Sequence, residues 1–154
     1  MRLPACPAAM VLGLLAAPGA SQPDTDPAIL ACVPPALRDL PISRVSASQR
    51  RPVVACLLRQ SARQINEQAP IPMGDDMLES AIVGDTTIYY NIRLDVTAAE
   101  FGAEQRRRLA DRTHANVCAA ADMRSTIGLG GAFGYNWFDR EHRLLHQTRV
   151  DRCP

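Results

Sequence analysis

The side chains able to do covalent or metal chemistry in this chain are few and scattered. A hydrolytic nucleophile needs a serine or cysteine beside a histidine that a carboxylate orients, and no G-x-S-x-G turn is present. The histidines are His114, His142 and His146. His142 and His146 fall on a stretch read as a strand, where four residues span about 13 Å, too far for one metal ion. His114 stands alone on a helical stretch. The adjacent carboxylates Asp75-Asp76 and the pair Asp139 and Glu141 could in principle make a glycosidase-like dyad. The first pair lies in a loop after Pro72 and the second in a turn, where aspartate more often stabilises the turn itself. No catalytic residue, metal site or cofactor is assigned. The residual enzyme reading would assemble a site from Asp75, Asp76, His114 or His142.

The stretch GLGGAFGYNWFD, residues 128–139, raises a second chemistry, a phosphate-cradling loop. Such a loop follows a strand and opens a helix, so that the helix N-terminus meets the phosphate. Here the order is reversed: a helical segment precedes the glycines and a strand follows. The spacing also misses G-x-G-x-x-G, because Phe133 stands at its last position. The stretch therefore reads as a helix-to-strand corner. Gly128 is expected to supply the left-handed residue that ends the helix, with Gly134 allowing a bulge or a close approach within the strand.

The cysteines carry structure. Residues 1–20 place one arginine, a short apolar run and small residues in the order of a secretory signal peptide, and the run is too short to span a bilayer. Cys6 would leave with it. The remaining Cys32, Cys56, Cys118 and Cys153 are an even set in a short exported chain, as disulfides require. Three pairings are open; Cys32–Cys56 with Cys118–Cys153 is favoured, each joining a helix to a nearby terminal segment. No C-x-x-C knuckle supports zinc. Ile29-Leu30-Ala31-Cys32 is a poor lipid-attachment site, since SQPDTDPA before it is not apolar. The expected product is soluble in the periplasm or secreted.

Acids number 16 and Lys+Arg 17, every base being arginine. That balance gives no case for nucleic acid or an anionic membrane as partner, and no later stretch is apolar enough to cross a membrane. Arg106-Arg107-Arg108 fans over about 200° of a helix and reads as a solvated face.

The elements that must position these residues follow from periodicity. Residues 21–46 are rich in proline, serine and aspartate and read as a flexible or irregular segment. A single domain is expected over 47–154. Its first helix, capped by Ser48 with Pro52 in the first turn, runs to about residue 68 with Val54, Leu57, Leu58, Ala62 and Ile65 on one face. Residues 77–83 and 86–95 read as a hairpin turning at Gly84-Asp85. Ile88, Tyr90, Ile92 and Leu94 share one face of its second strand, and Thr87, Tyr89, Asn91 and Arg93 the other. Thr97 and Glu100 form a capping box for a long helix, and a second hairpin closes the chain around 139–141. The predicted class is α+β: a four-stranded antiparallel sheet of two hairpins with helices on one face, in the order α-ββ-α-ββ.

Phe133, Tyr135 and Trp137 share one strand face, and either pack in the core or line an exposed groove. Tyr89, Arg93, Tyr135 and Trp137 are the candidate binding surface.

From about residue 65 the cadence INEQAPIPMGDDMLESA, TTIYYNIRL, Asn116-Val117-Cys118, RSTIGLGGAFGYNWFD and Asp151-Arg152-Cys153 resembles small disulfide-bonded periplasmic domains, most of all the β-type pilotins of type II secretion. Those are small outer-membrane lipoproteins that bind and escort a segment of the secretin. The resemblance implies the helix–sheet order, the Cys118–Cys153 bridge and a protein or peptide partner in the cell envelope. The leading functional reading is an exported, non-enzymatic binding domain. The competing classes are an inhibitor of a hydrolase or toxin-related factor, and a small periplasmic enzyme.

Overall fold

A computed structural model describes residues 27–154; the expected signal peptide lies outside them. The first elements are a short helix α1 (Pro27–Cys32) and two 3₁₀ turns, Pro35–Leu37 and Ile42–Arg44. Arg38 ties this segment together, its guanidinium donating to the carbonyls of Val33 and Leu30. Helix α2 (Ala47–Gln68) begins two residues earlier than its sequence suggests. Ser46, not Ser48, is its cap: Ser46 Oγ accepts from the Gln49 N–H while the Gln49 side chain accepts from the Ser46 N–H. Pro52 consequently sits inside the helix, where it removes one backbone hydrogen bond.

The sheet has five strands rather than four and is mixed rather than antiparallel. β1 (Ile71–Met73), β2 (Asp76–Gly84), β3 (Thr87–Arg93), β4 (Ala132–Phe138) and β5 (Leu144–Val150) lie in sequence order. β1 is three residues long and overlaps the prolines that end α2, too short for any alternation to register. The two hairpins, β2–β3 and β4–β5, form as expected, but β3 and β4 pair in parallel. The physical reason is the connection. Helices α3 (Ala103–Ala119) and α4 (Ala121–Gly128) return the chain to the end at which β3 began, and a helical crossover makes neighbouring strands parallel.

α2, α3 and α4 pack on one face. Val54, Leu58 and Ala62 of α2 and Val117 of α3 meet Ala81, Ile88, Phe133 and Val150 of the sheet. Each fully buried aliphatic side chain here contributes roughly 1.5–3 kcal/mol. A second cluster gathers Ile92, Leu94, Phe101 and Trp137. Phe101 explains why the long helix starts late: the Thr97–Glu100 capping box closes a 3₁₀ turn, Ala98–Glu100, the chain dips to bury Phe101, and α3 begins at Ala103.

The glycine corner also differs in detail. Gly128 lies within α4, and Gly130 takes the left-handed conformation, φ 96°. Gly131 N–H bonds Thr126 O and Gly130 N–H bonds Ile127 O, the two bonds of a Schellman cap.

Disulfides join Cys32 to Cys56 and Cys118 to Cys153. The first fixes α1 on α2; the second fixes the chain after β5 on the end of α3.

Candidate binding surfaces

Strand alternation divides the candidate residues between two faces. Tyr135 and Trp137 lie on the helix-covered side with Tyr90, as a lane of rings: Tyr90 and Tyr135 centroids are 5.1 Å apart, Tyr135 and Trp137 5.8 Å and nearly parallel. Trp137 is only 8% exposed and belongs to the core. Its cross-strand neighbour His146 is held below the ordinary histidine range, first by burial and then by the nearby Arg106 charge.

Tyr89 and Arg93 are on the other face, which no helix covers among the described residues. The four predicted surface residues thus do not form one patch. Tyr89 lies across Gly134, its register partner on β4. Next along the strands runs a ladder of side-chain hydrogen bonds crossing β2 to β5. Gln147 Nε2 donates to Asn136 Oδ1 (2.7 Å), Asn136 Nδ2 to Asn91 Oδ1 (2.8 Å), and Asn91 Nδ2 to Ser80 Oγ (2.8 Å). These four residues occupy one register row, so each amide meets the next at cross-strand spacing. Arg93 then donates to Glu79 Oε1 at 2.7 Å, and His142 Nε2 lies 3.0 Å from the same oxygen. Burial pushes the Glu79 carboxyl up, but Arg93 and His142 outweigh it and hold the group below its ordinary range. Ile82 and Leu144, more than half exposed, rim this face.

The enzyme candidates remain apart. His114 is exposed on α3. His142 sits in the β4–β5 turn with φ 59°, not on the strand. Asp76 is raised first by burial and further by Asp75 and Asp95, against a hydrogen bond from the Asp95 N–H. Asp139 is a turn residue: its Oδ1 accepts from the Glu141 and Arg143 N–H groups and its Oδ2 from Arg143 Nε. Among the described residues no group of three or more potential metal ligands comes together.

The sheet's β2 edge carries a feature that the helical periodicity of α2 does not announce. Beyond β1, which pairs only with Asp76, Met77 and Leu78, the edge faces α2 across a groove of about 570 Å³. Arg59, Ala62, Arg63 and Asn66 line it from the helix, Ala81 and Val83 from the strand. Asn66 Nδ2 donates to Ala81 O, and the Ala81 N–H donates to Asn66 Oδ1. The available signal was the four-residue spacing of Arg59, Arg63 and Glu67, which puts all three on one helical face.

No family model matches the chain, and none of the curated proteins matches it in sequence. Solved structures do resemble it in fold. A Pseudomonas aeruginosa protein described as secreted matches with a TM-score of 0.60 at 15% identity, covering 69% of this chain and 96% of that one. The type II secretion pilotin AspS of Vibrio cholerae matches at 0.56 and 14%, covering 67% and 93%. The type II secretion pilotin EpsS of Vibrio vulnificus matches at 0.60 and 12%, covering 70% and 99%. At these identities the likeness is one of fold: the described domain is built as type II secretion pilotins are built.

Proposed function

We propose that the chain is an exported, non-enzymatic protein-binding domain with a pilotin-like accessory role in the cell envelope. The observation that carries this reading is the extent of the fold likeness, which takes in nearly the whole of two pilotin chains. The two disulfides are consistent with an oxidising compartment outside the cytosol. No helix among the described residues is long and apolar enough to cross a membrane. In this reading the domain acts by contact with another envelope protein, as the likeness to pilotins suggests.

The test is affinity capture of the tagged chain from detergent extracts of envelopes, with partners identified by mass spectrometry. Stoichiometric recovery of an outer-membrane secretion component is the expected result. Recovery of a lytic enzyme that the chain inhibits, or of no partner at all, would overturn the reading.

A further inference from the structure

We infer that the groove between α2 and the β2 edge binds an extended acidic peptide segment, which adds to the sheet as a strand. This rests on the accessory-binding reading above and names its surface and the chemistry of its partner.

The backbone supplies the first argument. Ala81 spends both its N–H and its C=O on Asn66, away from β3. Backbone direction repeats every second residue of a strand, so the N–H and C=O of Val83 point the same way. There no strand pairs with them among the described residues. The carboxamide of Asn66 stands where one peptide group of an added strand would stand. It closes the edge at Ala81 and leaves it open at Val83.

Charge supplies the second. Arg59 and Arg63 line the groove, and neither has an ion pair or side-chain hydrogen bond among the described residues. Arg51 meets Asp85 at one end of β2 and Asn66 meets Ala81 further back, so α2 runs roughly antiparallel to the strand. Four helical residues advance about 6 Å, close to the roughly 6.7 Å between alternate residues of a strand. Carboxylates at alternate positions of an added strand therefore fall opposite Arg59 and Arg63. A second copy of this chain is a poor occupant, because edge-to-edge pairing would bring two sets of these arginines together.

A phage-displayed random dodecapeptide library, panned against the full chain with its disulfides intact, tests this. The expected enrichment is for acids at alternate positions among β-branched residues. The selected peptide, made synthetically, should bind at least 10-fold more weakly to R59E/R63E, whose substitutions are on exposed side chains. Its version with lysines for acids should prefer that variant. Amide exchange at Val83 should slow on binding, a signature of strand addition that surface charge attraction would not give. Enriched peptides without alternating acids, equal binding to R59E/R63E, unchanged Val83 exchange, or a dimer that fills the groove would each overturn the inference. Capture of an envelope partner equally by wild type and R59E/R63E would sink the groove while leaving the accessory role standing. Groove-binding peptides without any envelope partner would do the reverse.

Discussion

The ring of Tyr89 lies directly on the backbone of Gly134: a Cβ placed at Gly134 would stand 2.2 Å from Tyr89 Cδ1 and 2.5 Å from its Cε1. The two residues are register partners across the parallel β3–β4 pair. That pair joins the two hairpins, so the contact locks the one sheet junction that no turn enforces. It also gives Tyr89 its role: the ring is a lid over bare backbone on the open face.

Gly134→Ala should therefore destabilise the fold by about 1–3 kcal/mol, the usual range for overpacking. The contribution is coupled. In Tyr89→Ala, adding the Gly134→Ala methyl should cost less than half as much, because the clashing ring is gone. Urea unfolding followed by the fluorescence of Trp137, the single tryptophan, measures both. Additive losses would mean that the close approach does not limit the strand pairing.

The amide ladder makes a graded prediction. Asn136 both donates to Asn91 and accepts from Gln147, whereas Gln147 is exposed at the sheet edge and makes one of these bonds. Asn136→Ala should cost about 1–2 kcal/mol and Gln147→Ala under about 0.5 kcal/mol, since exposed partners can turn to water. Chemical denaturation of the two variants separates them. Equal effects would place the stabilisation in the edge strand rather than in the ladder.

How far these features could be read beforehand depends on whether they are local. The alternation of Ile88, Ile92 and Leu94 against Tyr89, Asn91 and Arg93 divides β3 correctly, because period-two patterning records which side is buried. The same periodicity cannot record which strand lies alongside. Parallel pairing of β3 with β4 is decided by where α3 and α4 return the chain, and so Tyr89 could not be seen to meet Gly134. The Thr97–Glu100 capping box was legible, but not the descent of Phe101 into the core, which interrupts the helix just after it. Tyr135 and Trp137 looked like either core or groove; helix packing on their side of the sheet decides for core. Periodicity places Arg59 and Arg63 off the apolar face of α2, and nothing in α2 itself announces the strand edge opposite.

Asp139 predicts a pH dependence. Its side chain is fully buried, which pushes its pKa up, but the hydrogen bonds and charge of Arg143, with the Glu141 N–H, hold it below the ordinary aspartate range. A folded-state pKa below the unfolded value of about 3.9 contributes stability that is present above that value and lost as pH falls through the folded one. Asp139→Asn should lower the melting temperature at pH 7, and the gap from wild type should narrow below about pH 4, as the wild-type carboxylate is itself protonated. Melting curves at pH 7, 5 and 3 give the comparison. A gap independent of pH would assign the loss to shape rather than charge.

The disulfides make the last prediction, and their positions distinguish them. Cys32–Cys56 closes a separation of 24 residues and Cys118–Cys153 one of 35. The chain-entropy model gives roughly 3.5 kcal/mol for loops of this length, so neither bond should dominate on entropy alone. What they hold differs. Cys32–Cys56 secures α1 and the 3₁₀ turns to α2, outside the sheet. Cys118–Cys153 anchors the chain leaving β5, whose Val150 is buried against Ile88 and Phe133 in the main core. The double substitution C32S/C56S should lower stability yet leave a cooperative transition, with faster amide exchange confined mainly to residues 27–46. C118S/C153S should speed exchange through β5 and its partner β4, since losing the clamp frays the sheet's last strand. Exchange mass spectrometry on the two variants reads this directly. If C32S/C56S frayed β5 instead, the helix-borne bond would be a global staple.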